Sequence, residues 1–522
     1  MSNRSYDEVF LLIKSLDKSE KRLFKLFANR HSAQIELKIV QLFNAMDAME
    51  EYQDELLLSK KGIFNKAQLP NLKAHLYKQI LHALRQSPDT NDIDIIFQEQ
   101  MGNARILYNK ALYQQALKVL DKLKQTALKY HHHTYVLQTI NFEKKIEGLH
   151  ITRSFKDRAQ SLTDDFNTII QPITRSGLWS NLALHLYNWF ISFGHSRNKE
   201  EQHKIKTFFV SAKQALDAPD SFYEQLYACQ AYCWYAYIQE DFLLYYKHAQ
   251  KWVRLFETNK DLAPVEKTQY LKGYHNLLTA LYVLRHQEKF TLTLQEYKQV
   301  FTKEIKLRHR NDVVQFHLYY YQSAINNYFL QGKFSEGLFL VTDIENFISN
   351  YSRSIDSYRT LVLYYKIASL YFGSGDNESA IDYLQKIINR KTDLRSDLQC
   401  YARLLHLIAH YELGNERLIE YLFKSVYRFM AKMEHLGAVE EAVFAFLKHA
   451  FTIDLHQALP AFETLRNELK QYENDSLEKK SFLYLDIISW LESKIENLPV
   501  ETVIQKKHIA SKAARHQSSN SN

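Results

Sequence analysis

Apolar residues recur along this chain at intervals of three and four, and the best-formed example lies in its second half. Tyr364, Ala368 and Tyr371 share one helix face, Gly375-Asp376-Asn377 interrupts them, and Ala380, Leu384 and Ile387 resume the spacing. At 3.6 residues per turn, each set falls on one side of a helix, so the pattern predicts two helices joined by a tight turn. One unit upstream the same order returns as Tyr321, Tyr328, Gly332, Phe334, Gly337, Val341 and Ile344, and before that as Leu277, Leu281, Leu284, Phe290, Thr293 and Tyr297. Downstream it is written by Leu407, Gly414, Ile419, Phe423 and Val426, then by Phe446, Ala458, Phe462 and Leu465. With Thr293, Gly337, Ala380, Ile419 and Ala458 as one equivalent point, the steps are 44, 43, 39 and 39 residues. An early copy is formed by Ala104, Tyr113, Ala116, Leu120 and Leu123. A helix pair of this kind cannot bury its apolar face alone and must stack on copies of itself, which makes the array a surface rather than a reaction vessel.

A different pattern precedes the array. Val9, Phe10, Leu12, Ile13 and Leu16 form one amphipathic stripe, and Asp17 with Glu20 supplies a capping box for a helix carrying Leu23, Phe24, Leu26 and Phe27. Stripes at Ile35, Ile39, Leu42, Phe43 and Met46, and at Leu69, Leu72, Leu76, Ile80 and Leu84, complete a small helical module over residues 1–90. Ser87-Pro88-Asp89-Thr90-Asn91-Asp92 reads as a linker of turn formers. From 93 to 497 the helical pattern continues, with breaks expected at Ser176-Gly177, Ala218-Pro219-Asp220, Ala263-Pro264 and Gly373-Ser374-Gly375, and with the repeat phase lost between 130 and 270. Residues 500–522 turn basic and then Ser/Asn-rich, the composition of a disordered tail.

Composition fixes the class independently. The 522 residues include 12 Gly and 7 Pro, with no Pro between Pro264 and Pro460, too few for strands joined by tight turns. The reading is all-α. At this length one core is not enough, and 35 Tyr with 31 Phe suit an array in which each inter-helix gap takes a large ring. Cys229, Cys233 and Cys400 are too few for a disulfide framework and suit a reducing compartment. The polar, acidic N-terminus is unlike a signal peptide, and the most apolar run, Leu226 to Ile238, contains Gln230 and falls short of the roughly 20 residues a membrane span needs. A cytoplasmic location without a membrane span is therefore expected. The formal charge of +8 is spread among interspersed acids and bases, so charge does not by itself announce a nucleic-acid partner.

Chemical constellations are sparse. His131, His132 and His133 would point about 100° apart on a helix, so they read as a solvated helix end rather than a metal site. Cys229 and Cys233 share a face at i and i+4, but a structural zinc needs four ligands, and the pair reads as small buried hydrophobes. No glycine-rich phosphate loop, nucleophile elbow or His-Glu-x-x-His occurs, and Gly373-Ser374-Gly375 follows a helix rather than a strand. Carboxylate neighbours such as Asp164-Asp165 and Glu440-Glu441 read as solvated. No cofactor, metal or catalytic residue is expected. Lys18, Lys21, Arg22 and Lys25 lie on one flank of the second helix and could meet phosphates, although residues 1–90 hold 14 Lys/Arg against 11 Asp/Glu.

The helix pairs resemble tetratricopeptide repeats, in which a small residue in each helix lets the pair cross closely. The steps exceed that family's length of about 34 residues, the small residue is often Leu or Ile, and the closing proline is missing, so armadillo or similar helical repeats stay open. The string from Leu16 to Phe27 resembles the opening of a group of uncharacterised bacterial tetratricopeptide-like proteins. The resemblance implies a right-handed α-solenoid of stacked antiparallel helix pairs over 93–497, repeating at 39–44 residues behind the N-terminal module. In that family the first helix of each pair lines the concave groove, which puts Tyr282, Arg285, Gln322, Asn326, Tyr365, Lys366 and Ser369 there. Asn326 and Lys366 match residue types that some members use to hold a peptide's C-terminal carboxylate. The expectation is a non-enzymatic scaffold binding a peptide or protein. The alternatives are a wet helix surface, a groove filled by the protein's own C-terminal helix, and a nucleic-acid-associated regulator acting through the N-terminal module.

Overall fold

The computed structural model describes residues 7–29, 34–58, 64–86, 92–150, 157–196, 198–390, 396–433, 436–449, 455–473, 475, 478 and 481–519, and of 34–37, 396, 416, 420, 449, 455–458, 483 and 511–519 the backbone only. Among them all regular structure is helical. The chain forms two compact units, 1–165 and 166–522. Of the expected linker only Asp92 is described, and the side chains of Ile35 and Ala458 lie outside the described residues.

In the first unit, α1 (Glu8–Ser15), α2 (Lys18–Ala28), α3 (Gln34–Ala48), α4 (Asp54–Leu58) and α5 (Leu69–Arg85) enclose Phe10, Ile13, Phe24, Ile39, Phe43, Met46, Leu76 and Ile80. Leu26, assigned to the apolar stripe of α2, is exposed instead. The capping box is present: an Asp17 carboxylate oxygen accepts from the Glu20 N–H at 2.8 Å and Glu20 accepts from the Asp17 N–H at 2.8 Å. Then α6 (Ile93–Asn109), α7 (Tyr113–Lys129) and α8 (His133–Leu149) pack in succession around Ala104, Ala116, Leu120 and Ile146. Asp92 caps α6, and the α7–α8 turn is made by the histidine run, with His131 in the left-handed region at φ 57°.

Helix α9 (Arg158–Phe193) passes through Ser176-Gly177, where a break was expected. A lone helical glycine costs only about 1 kcal/mol relative to alanine, and Trp179, Leu182, Leu186 and Phe190 keep burying one face beyond it. The second unit continues with α10 (Lys199–Gln214), α11 (Phe222–Ile238), α12 (Phe242–Thr258), α13 (Lys267–Val283), α14 (Gln287–Gln299, then a π turn at Val300–Glu304) and α15 (Arg310–Gln331). It proceeds through α16 (Phe334–Gly337), α17 (Leu340–Asn350), α18 (Ser357–Ser374), α19 (Asn377–Ile388), α20 (Ser396–Glu412), α21 (Glu416–Lys432), α22 (Ala438–His449) and α23 (Leu455–Lys470). The last helices are α24 (Ser481–Tyr484), α25 (Ile487–Glu496) and α26 (Val500–Ser519). From α11 onward each helix packs on its successor as far as α15, and α13, α15, α18 and α20 also touch one another in a row of alternate helices.

Small residues sit where helices approach closely. Ala368 and Ala380 are fully buried, and a methyl added at Gly337 would lie 2.7 Å from Leu370, or at Gly373 2.1 Å from the Phe334 ring. The turn within each pair repeats one backbone feature, a residue in the left-handed region: Glu240, Arg285, Gly332, Gly375 and Gly414, at φ 56°, 54°, 66°, 92° and 68°. Glu440 corrects the solvated reading of the carboxylate neighbours: it is buried, accepting from the Tyr401 hydroxyl at 2.9 Å and the Gly437 N–H at 3.0 Å.

The C-terminal segment is helical to Ser519 where a tail was expected. Val503 and Ile504 are buried, the Ser335 hydroxyl donates to Glu501 at 2.5 Å, and the Gln505 amide donates to the Gly332 carbonyl at 2.9 Å. Gly332 also sits 2.7 Å, measured from an added Cβ, from the Gln505 backbone nitrogen, so only glycine fits both its backbone angle and this approach. Trp490 is buried among Tyr411, Phe446 and Phe462, and its indole donates to Glu412 at 2.7 Å.

Candidate binding face

Four helices of the second unit each present a stripe at helical spacing: Tyr223, Tyr227, Gln230 and Trp234 on α11; Thr268, Lys272, His275, Thr279 and Tyr282 on α13; Asp312, Gln315, Tyr319, Gln322 and Asn326 on α15; and Arg359, Val362, Lys366 and Ser369 on α18. Spacings of three and four residues keep each stripe on one face. Neighbouring stripes meet about one repeat apart. The Tyr223 hydroxyl donates to Glu266 at 2.7 Å, the Gln230 amide to Gln269 at 2.9 Å and the Thr268 hydroxyl to Asp312 at 3.4 Å. The His275 ring stacks on Tyr319 with centroids 4.2 Å apart, and the Lys366 ammonium donates to the Asn326 carbonyl oxygen at 2.5 Å while lying 5.7 Å from the Tyr282 centroid. Tyr282, Asn326 and Lys366 are thus brought together, at steps of 44 and 40 residues.

The other expected positions divide. Gln322 and Ser369 are partly exposed on the same stripes, with the Ser369 hydroxyl turned back onto the Tyr365 carbonyl at 2.9 Å. Arg285 lies beyond α13, in the turn, and its guanidinium is 3.6 Å from Asp486. Tyr365 is buried, and its hydroxyl donates to the Tyr484 carbonyl at 3.0 Å. The chain's own segment Tyr484–Asp486 therefore lies against two of the seven residues. Tyr484 is further held by stacking on Tyr401 at 4.3 Å and by donating its hydroxyl to Asp397.

Residues not anticipated from sequence complete the face. The Lys272 ammonium lies 5.9 Å from the Tyr187 ring centroid and 5.7 Å from that of Trp234. Among the described residues neither Lys272 nor Lys366 has a carboxylate partner, and Arg359 pairs with Asp356 at 3.2 Å. Burial pushes the Lys366 ammonium down to about 8. Burial, reinforced by Arg359, lowers Lys272, while burial together with Arg359, Lys272 and Lys366 pushes the His275 imidazole down to about 3. Gln315 carries a buried carbonyl oxygen without a hydrogen-bond partner. The signal for these positions was present as the 44-residue step from His275 to Tyr319 and the 40-residue step on to Arg359, but no small residue or glycine marks it.

In the first unit the four basic residues of α2 do not form one patch. Lys21 pairs with Asp47 at 2.6 Å and Lys25 lies over the Phe43 ring at 5.5 Å, which leaves Lys18 and Arg22 exposed. An open cavity of about 470 Å³ beside α1 and α5 is lined by Asp7, Glu8, Lys73 and Tyr77. Its cation is already engaged, since Lys73 pairs with Asp7 and Asp54 at 3.0 Å each and donates to the Tyr52 hydroxyl. Cys229, Cys233 and Cys400 are buried free thiols, and burial raises the pKa of all three. No cluster of three or more metal-ligand side chains occurs among the described residues, and no helix there is long and apolar enough to cross a membrane.

No family model, curated protein or solved structure matches this chain.

Proposed function

We propose that this is a cytoplasmic, non-enzymatic scaffold with tetratricopeptide-like repeats, which binds a peptide or protein along the face shared by α11, α13, α15 and α18. The observation that carries this reading is the stripe at helical spacing repeated on four helices, of which those on α13, α15 and α18 touch at equivalent residues one repeat apart. The partly exposed amide of Gln322 can pair with the donors and acceptors of an extended backbone, and tyrosine, tryptophan and arginine are the commonest anchors of interfaces. Beside that face, the buried Tyr365 hydroxyl of α18 holds the carbonyl of the chain's own Tyr484. In this proposal the N-terminal module is a cap or a second docking site, its α2 cations being partly spent on Asp47 and Phe43.

The test is site-specific photo-crosslinking in the full chain, with a benzophenone amino acid at Gln322 and, for reference, at the exposed Leu418 of α21. A protein adduct from position 322 that is missing from position 418 is the expected outcome. Equal adducts from both positions would remove this face from consideration.

A further inference from the structure

The middle of the shared face carries charge of one sign. Lys272 and Lys366 have no carboxylate partner among the described residues, Arg359 has only Asp356, and all three stand close enough to His275 to act on its titration. Acids lie at either end. Glu266 and Asp312 are engaged near the start of α13 and α15, and Asp486 faces Arg285 at the far end. Buried or half-buried cations left without counter-charge are costly, and an anion supplied from outside offsets that cost. Between these cations stand hydrogen-bonding groups that suit a polypeptide, the unpartnered Gln315 carbonyl oxygen and the Gln322 amide.

We infer that this face takes an acidic, extended peptide segment, its Glu or Asp side chains meeting Lys272, Arg359 and Lys366 and its backbone meeting the amides of α15. The inference deepens the scaffold reading and rests on it. It uses carboxylates carried along the segment rather than at its terminus, and two of its three cations, Lys272 and Arg359, lie outside the positions that the repeat resemblance pointed to. A single-stranded nucleic acid fits less well, because such strands need free ring faces on which bases stack. Here the rings are spent on one another: Tyr187 lies 5.1 Å from Trp234, with Lys272 over both, and His275 and Tyr319 cover each other's faces.

The test is fluorescence anisotropy on the full chain with a short labelled, C-terminally amidated peptide of alternating Glu and Ser. The comparators are the Gln/Ser and Lys/Ser peptides of equal length and oligothymidylate. The Glu/Ser peptide is expected to bind with an affinity that falls with salt and drops about tenfold or more in Lys272→Gln/Arg359→Gln, while Lys204→Gln, an exposed cation on α10, leaves it unchanged. Glutamine keeps the first two methylenes of each stem and removes a cation, and circular dichroism checks the fold. Equal binding of the Gln/Ser peptide, tighter binding of oligothymidylate, an unaffected double variant, or no binding of any probe by the folded chain would each overturn the inference. Should the crosslink at Gln322 persist under any of those results, only the acidic specificity is lost; loss of that crosslink removes the scaffold reading as well.

Discussion

Two regions of this protein use lysine in opposite ways. In the N-terminal module Lys73 is closed off by Asp7, Asp54 and Tyr52, and Lys21 by Asp47, so both of these cations are spent within the module. On the shared face of α13 and α18, Lys272 and Lys366 are left with rings and an amide. The difference teaches that the candidate site is marked by cations without carboxylates, which a tally of basic residues along a segment does not reveal. Lys73 serves the fold, and Lys272 is held against the fold's interest.

The sharpest way to break that comparison is to remove the enclosed cation. Lys73→Met strands the largely buried Asp7 carboxylate and takes one partner from the exposed Asp54, and is expected to destabilise the module by about 2 kcal/mol. Urea unfolding followed by circular dichroism reads this, and an unchanged midpoint would show that the network is ornamental. Next comes the scaffold that holds the open cations in place. Ala380→Leu, at a fully buried crossing of α19, is expected to overpack it at a cost of about 2 kcal/mol. An unaltered melting temperature would show that the crossing is not where the repeat register puts it. Gly332→Ala forces a side chain into the left-handed region against Gln505 and is expected to cost about 1–2 kcal/mol. Its specific signature is faster hydrogen exchange in residues 500–510, and exchange at the parent rate there would detach Gly332 from α26.

How much of this was legible differs along the chain for physical reasons. The α18–α19 pair could be read because Ala368, Gly375 and Ala380 write its crossing and its turn in residues with few alternative uses. The equivalent turns at Glu240 and Arg285 have the same left-handed backbone without glycine; around Glu240 this hides the period, and at Arg285, where the repeat is legible, it hides the helix end, so that the repeat pattern puts Arg285 on a helix it does not belong to. Helix α26 reads as a tail because its own apolar positions are few, and what holds it is packing on α25 together with bonds from Glu501 and Gln505 to residues some 170 positions away. The candidate face was half legible. Tyr282, Asn326 and Lys366 follow from helical register, whereas Lys272 and Arg359 stand out only once it is known which carboxylates they lack.

Two smaller effects sharpen the comparison. Because Lys366 titrates near 8 and Lys272 is also lowered, while an unfolded lysine titrates near 10.4, these two groups leave the unfolded chain with more bound protons between those values and contribute stability that rises with pH across that window. The buried thiols of Cys229, Cys233 and Cys400, whose pKa is raised, act with the opposite sign, so the expected outcome is a difference: from pH 7.5 to 9.5 the urea midpoint of the parent should rise relative to that of Lys366→Met, and a constant difference would show that Lys366 is not the group responsible. The smallest expected effect is that of Lys272→Met, which removes a desolvated charge and keeps the stem against Tyr187 and Trp234. Its stability should be equal to the parent's or higher by up to about 1 kcal/mol, and a loss comparable to that of Lys73→Met would erase the distinction between the two regions.

The bond from Gln505 to Gly332 spans 173 residues. During synthesis at roughly 5–20 residues per second, the end of α15 emerges roughly 10–35 s before the helix that covers it exists. Helices α15 and α18 thus spend part of every molecule's birth with Gly332, Ser335 and Tyr365 uncovered, and α26 and the Tyr484 segment close over them only after that interval.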